Sequence, residues 1–116
     1  MDRINRVFFI PKHTLMTTEE ALNVIYEGLL GENSIQVKLR NREGLDEELY
    51  GAVLEAIEVL KVAYKDQDHI PKKLALAFLD VSNYFTFGDD WYSEEEQEKF
   101  EDASLQLVQA VDELLS

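Results

Sequence analysis

The chain of 116 residues has no cysteine. Disulfide staples, thiolate zinc sites and a cysteine nucleophile are therefore excluded at once. It has only 2 proline and 5 glycine residues, and 46% of its side chains are hydrophobic, which excludes collagenous, low-complexity and wholly disordered chains. Long apolar runs are also missing. The longest, Leu74 to Leu79, is six residues, against the ~20 that a membrane helix needs. Near the N-terminus Pro11 and Lys12 interrupt the apolar stretch that a secretory signal would need, so secretion by that route is not expected. The expectation is a single domain over 1–116, cytoplasmic and free of membrane.

Basic residues are scarce. Eleven Lys and Arg face 24 Asp and Glu, giving a formal charge of −13. The imbalance is local: residues 1–42 carry six basic and five acidic side chains, whereas residues 43–116 carry five basic and 19 acidic. Such a surface repels nucleic-acid phosphates and anionic lipid, so neither is expected as a direct partner. It serves solubility, or it attracts a basic protein.

The pattern of apolar residues is mainly helical, with four helices joined by short connections into a bundle. Thr17-Thr18-Glu19-Glu20 is a capping box, with apolar residues at helical spacing from Ala21 to Leu29 and Gly31 suited to a left-handed residue past the end. This gives a first helix over about 18–30. Residues 45–64 are apolar around most of their circumference, as in the centre of a bundle. Pro71 stands at a helix start, and a third helix runs from Lys72 to about Phe85. Ser93 and Glu96 form a second capping box before a fourth helix over 94–115, with Phe100, Ala103, Leu107, Ala110, Val111 and Leu114 on one face. Between the first two helices, Ile35, Val37 and Leu39 alternate with polar residues. That spacing fits a short strand able to pair with Val7–Ile10, giving a two-stranded N-terminal β element, or an extended connection.

Chemistry-bearing motifs are few. His13 and His69 fall in loops with no serine motif beside them and read as surface imidazoles. No H-x-x-x-H or E-x-x-H spacing is present, and Asp66-Gln67-Asp68 lacks the glycine and the terminal glutamate of a calcium loop. No glycine-rich phosphate cradle occurs. No cofactor, metal or catalytic set is expected, and the chain is not read as an enzyme.

Six of the twelve aromatic residues fall within fifteen positions: Phe78, Tyr84, Phe85, Phe87, Trp91 and Tyr92. Asp89, Asp90, Glu94 and Glu95 lie among or beside them, and Asp80 interrupts the apolar run just before. Aromatic anchors ringed by acids have the composition of a binding hot spot. The candidate partner-binding residues are Asp80, Tyr84, Phe87, Asp89, Asp90, Trp91, Tyr92, Glu94 and Glu95. The bland alternative is that the aromatics complete the core and cap the bundle.

In size, charge, lack of cysteine and helical class the chain resembles the colicin immunity family, small acidic proteins that neutralise nuclease toxins through a loop of aromatics and carboxylates. Residues 83–92 are similar to such a patch in composition, although no family motif aligns and the tight Tyr-Tyr pair is absent. The resemblance implies an immunity or antitoxin-like module with a basic protein partner. The alternative is a structural or regulatory homo-oligomeric helical subunit, for instance a homodimer, without catalytic activity.

Overall fold

A computed structural model describes residues 16–85 and 91–116 of the chain. The strand reading at Val7–Ile10, His13, and the site candidates Phe87, Asp89 and Asp90 lie outside the described residues. The described part is mainly helical: α1 (Thr18–Leu30), α2 (Ile35–Arg40), α3 (Glu47–Ala63), α4 (Lys72–Phe78), a 3-10 turn (Val81–Asn83) and α5 (Glu94–Leu115). No strand occurs among the described residues, and no described helix is long and apolar enough to cross a membrane.

The ends of α1 and α5 are set by local chemistry. Thr17 Oγ1 accepts from the Glu20 amide at 3.0 Å while Glu20 Oε1 accepts from the Thr17 amide at 2.9 Å. Ser93 and Glu96 repeat the arrangement before α5. Each box satisfies two amides that the first turn otherwise leaves open. Past α1, Gly31 does not take the expected left-handed conformation: its backbone is extended, with φ −75° and ψ 171°. A Cβ there would lie 2.7 Å from the Glu27 carbonyl oxygen, so glycine is required by close approach.

Residues 35–40 are helix and not strand. Positions 35 and 39 are four apart, so one helical face buries both Ile35 and Leu39 completely. Gln36, which a strand would have turned to solvent, is buried, and its Nε2 donates to the Leu29 carbonyl at the end of α1. That bond closes the α1–α2 corner and satisfies one of the carbonyls left open at a helix C-terminus. Ser34 Oγ and Gln36 Oε1 are buried there without a partner among the described residues.

Helix α3 begins two residues later than the sequence pattern indicates, because Asp46 is its cap: Oδ1 accepts from the Leu49 amide at 3.0 Å. The other oxygen takes Lys38 Nζ at 2.6 Å, tying α2 to α3. This pairing first, and the Leu49 amide second, hold the Asp46 carboxyl below its usual range. As expected of a central helix, α3 packs against both α1 and α5. Val53, Ala56, Ile57 and Leu60 are wholly buried, each large side chain worth about 1.5–3 kcal/mol relative to exposure. Helix α5 runs parallel to α3. Glu47 meets Lys99 near their starts, Tyr50 meets Ala103 further along, and Lys61 meets Glu113 near their ends. The Tyr50 hydroxyl donates to the Ala103 carbonyl at 2.8 Å, and burial pushes its pKa up to about 12.

The end of α1 crosses the first half of α3 at Gly28. A Cβ on Gly28 would overlap Val53 Cγ2, and a buried valine has little freedom at χ1 to move aside. Gly28→Ala is therefore expected to destabilise the fold by on the order of 1–2 kcal/mol, the overpacking penalty less the helix-propensity gain. Chemical denaturation midpoints check this; a stabilised variant would contradict the close crossing.

Helix α4, expected from Lys72 to about Phe85, is shorter than the sequence pattern indicates. It ends at Phe78, and the chain turns through Asp80 (φ −123°, ψ 25°) into the 3-10 turn. Asp80 Oδ1 accepts from Asn83 Nδ2 at 2.7 Å, a local bond that competes with helix continuation. The Tyr84 hydroxyl donates to the Ala77 carbonyl at 2.8 Å and so closes off the end of α4.

Candidate functional site

The sequence candidates fall into two groups. Asp80 and Tyr84 flank the 3-10 turn after α4; Trp91, Tyr92, Glu94 and Glu95 form the entry to α5. Asp80 is exposed, with Asn83 as its partner. Tyr84 is half-buried and engaged with Ala77; burial first, and the Asp80 charge second, raise its pKa. Phe85, read as core in the bland alternative, is buried and meets Tyr50 edge-on at 6.3 Å.

The entry to α5 is built against the α2–α3 connection. After α2 the chain ends in a reciprocal pair of backbone bonds, Glu43 N–H to the Lys38 carbonyl (2.9 Å) and Arg42 N–H to the Leu39 carbonyl (3.1 Å). This is a Schellman ending, whose left-handed position normally takes glycine. Here Arg42 occupies it, with φ 62°, at a backbone cost of roughly 1–2 kcal/mol. Its guanidinium stands 5.0 Å from the centroid of the half-buried Trp91 ring. A cation over an indole face is worth about 0.5–1 kcal/mol at an exposed site, which offsets part of the backbone strain.

Tyr92 is committed inward. Its hydroxyl donates to the Leu39 carbonyl at 2.7 Å and accepts from the Gly44 amide at 3.2 Å, while its ring meets Phe100 edge-on at 4.8 Å. Gln97 Nε2 donates to the Tyr92 carbonyl at 2.8 Å. Tyr92→Phe is expected to cost about 1 kcal/mol. Leu39 keeps its bond from Arg42, but the Gly44 amide loses the acceptor found for it. Thermal unfolding of the two proteins reads this out, and equal midpoints would remove the staple from the account.

Glu94 and Glu95 are exposed in the first turn of α5, whereas the Glu96 carboxylate is taken up by the Ser93 cap. Acids in this turn also favour the helix, since its N-terminus carries partial positive charge. The corner thus combines a half-exposed indole, a cation resting on it and two exposed carboxylates. Among these described residues no nucleophile stands beside a base. Among the described residues no three His, Asp or Glu side chains converge on a point that could hold a metal ion.

Arg42 is the residue of this corner that the sequence reading did not place. Lys38, Arg40 and Arg42 stand out as a short basic stretch, yet nothing in their spacing connects position 42 with position 91. Only the left-handed turn does so. Comparison with family models, with curated proteins and with solved structures finds no match to this chain.

Proposed function

We propose that the chain is a binding module for a basic protein, immunity- or antitoxin-like and without catalytic activity of its own. The observation that carries this reading is the α5 entry, where a half-buried Trp91 stands beside the exposed carboxylates of Glu94 and Glu95. The rest of the surface supports it, because 19 of the 24 acidic residues follow position 42. A partner's lysines and arginines would be drawn in by the long-range field and ordered at the corner by the indole. Tyr92 supports the corner from behind through its bond to Leu39.

The first test is kinetic. Association with a lysine-rich peptide is expected to slow by on the order of tenfold or more between low and high ionic strength, since steering fades beyond a Debye length of about 8 Å at physiological salt. An on-rate indifferent to salt would leave the charge with solubility as its only role.

A second reading is a homo-oligomeric subunit. It is favoured by Leu76 and Leu79, which are 57% and 80% exposed on and just after α4. A native mass at twice 13.4 kDa would support it. The charge of −13 on each copy opposes close self-association.

A further inference from the structure

Parallel helices α3 and α5 leave an open groove along their seam, about 370 Å³ in volume. Its walls are Glu55 and Glu58 from α3 and Gln106, Gln109 and Glu113 from α5, over an apolar floor of Leu54 and Ala110. The seam is closed by cations on both sides of this stretch. Lys61 bridges Glu58, at 2.7 Å, to Glu113; nearer the helix starts Lys99 reaches Glu47 at 2.9 Å. Between these bridges Glu55 is half-buried and has no ion pair among the described residues. With three carboxylates and the single ammonium of Lys61, the groove carries an unbalanced negative charge.

A second feature of α3 has no explanation within the fold. Gly51 sits inside the helix, where glycine weakens it relative to alanine. Its φ is not positive, and a Cβ added there would meet no heavy atom within 4 Å among the described residues, in contrast to Gly28. Residue 51 precedes Leu54, Glu55 and Glu58 by three, four and seven positions, so it continues the groove face by one turn. A missing side chain at that point leaves the backbone open to a neighbour's close approach.

We infer that the α3–α5 groove, extended over Gly51, is a docking surface for a lysine- or arginine-bearing helical segment of a basic partner protein. The inference rests on the proposed function and adds to it a surface distinct from the Trp91 corner. Charge complementarity selects this occupant. A second copy of the chain would bring −13 to a negative groove, whereas a basic amphipathic helix places apolar residues on Leu54 and a cation beside Glu55. Lys61 shows how the seam already holds an ammonium between carboxylates of both helices.

The test titrates the full chain with a short amphipathic peptide of leucine and lysine at low salt, following backbone amide resonances. Three proteins are compared: wild type, Gly51→Gln and Glu55→Lys. Expected are shifts at Gly51, Leu54, Glu55 and Gln109. Affinity should be about tenfold or more weaker in Gly51→Gln and in Glu55→Lys. Gly51→Gln should unfold at the same temperature as wild type or higher, which separates a blocked surface from a damaged fold. Undiminished binding by Gly51→Gln would overturn the groove. Shifts confined to Trp91 and the first turn of α5 would overturn it too, while leaving the chain a binder of basic protein. Concentration-dependent shifts without peptide, lost in Gly51→Gln, would make the occupant a second copy and so overturn this one. Absence of binding anywhere would remove the broader reading as well.

Discussion

Phe100→Ala is expected to lower the unfolding free energy by about 3–5 kcal/mol, the range for emptying a buried aromatic site. Phe100 is 3% exposed and is the first buried residue of α5. Its ring also forms a T-shaped pair with Tyr92, planes at 88°, a geometry worth about 0.5–1.5 kcal/mol beyond burial. The cavity would relax poorly, because Tyr92 is held in place by Leu39 and Gly44 and cannot simply swing in to fill it. Leu105→Ala is the control: that side chain is 69% exposed on the same helix, and its loss should move stability by no more than about 0.5 kcal/mol. Urea denaturation with an unchanged slope gives both values. A loss below about 1 kcal/mol for Phe100 would mean that α5 is not seated through this ring.

Trp91→Ala should divide its effects differently. The ring is half-buried and lies against Arg42, so its removal should cost fold stability well short of the 3–5 kcal/mol expected for a core aromatic. Binding of a basic partner should weaken by about 2 kcal/mol or more, roughly thirtyfold, because a rigid aromatic at the centre of a contact typically dominates its energy. Denaturation midpoints come first and need no partner. A stability loss in the core range would assign Trp91 to the bundle and take the corner off the binding surface.

How much of this was legible beforehand follows from the range of the interactions. The starts of α1 and α5 rest on hydrogen bonds spanning three residues, Thr17 with Glu20 and Ser93 with Glu96, and such pairs can be read directly from sequence. Over Ile35–Leu39 the sequence is ambiguous, since positions i and i+4 coincide in a strand and in a helix. The bond from Gln36 to Leu29, between elements, goes with the helical outcome. The end of α4 was hidden for the opposite reason: Leu79 and Val81 continue an apolar run, while local bonds from Asn83 to Asp80, to its carbonyl and to its Oδ1, accompany the turn. The buried place of Tyr50 has no local signal, because its hydroxyl is taken up by Ala103, 53 residues away. At the candidate site the aromatic cluster was visible as composition. Its division into an inward Tyr92 and an outer Trp91 was not, because that division is made by Leu39, Arg42 and Gly44.

The Tyr92 hydroxyl joins positions 48 and 53 residues apart in the chain, so its two bonds close one of the longer loops of the fold. Closing such a loop costs entropy that adjacent contacts do not, which places this junction among the later events of folding and the earlier ones of opening. The Gly44 amide, whose acceptor is that hydroxyl, consequently serves as an internal clock. Its exchange with solvent deuterium reports how often the first turn of α5 lifts away from the α2–α3 connection, separately from global unfolding. A partner that grips both sides of the junction would slow that one proton while leaving the protected amides of α3 unchanged.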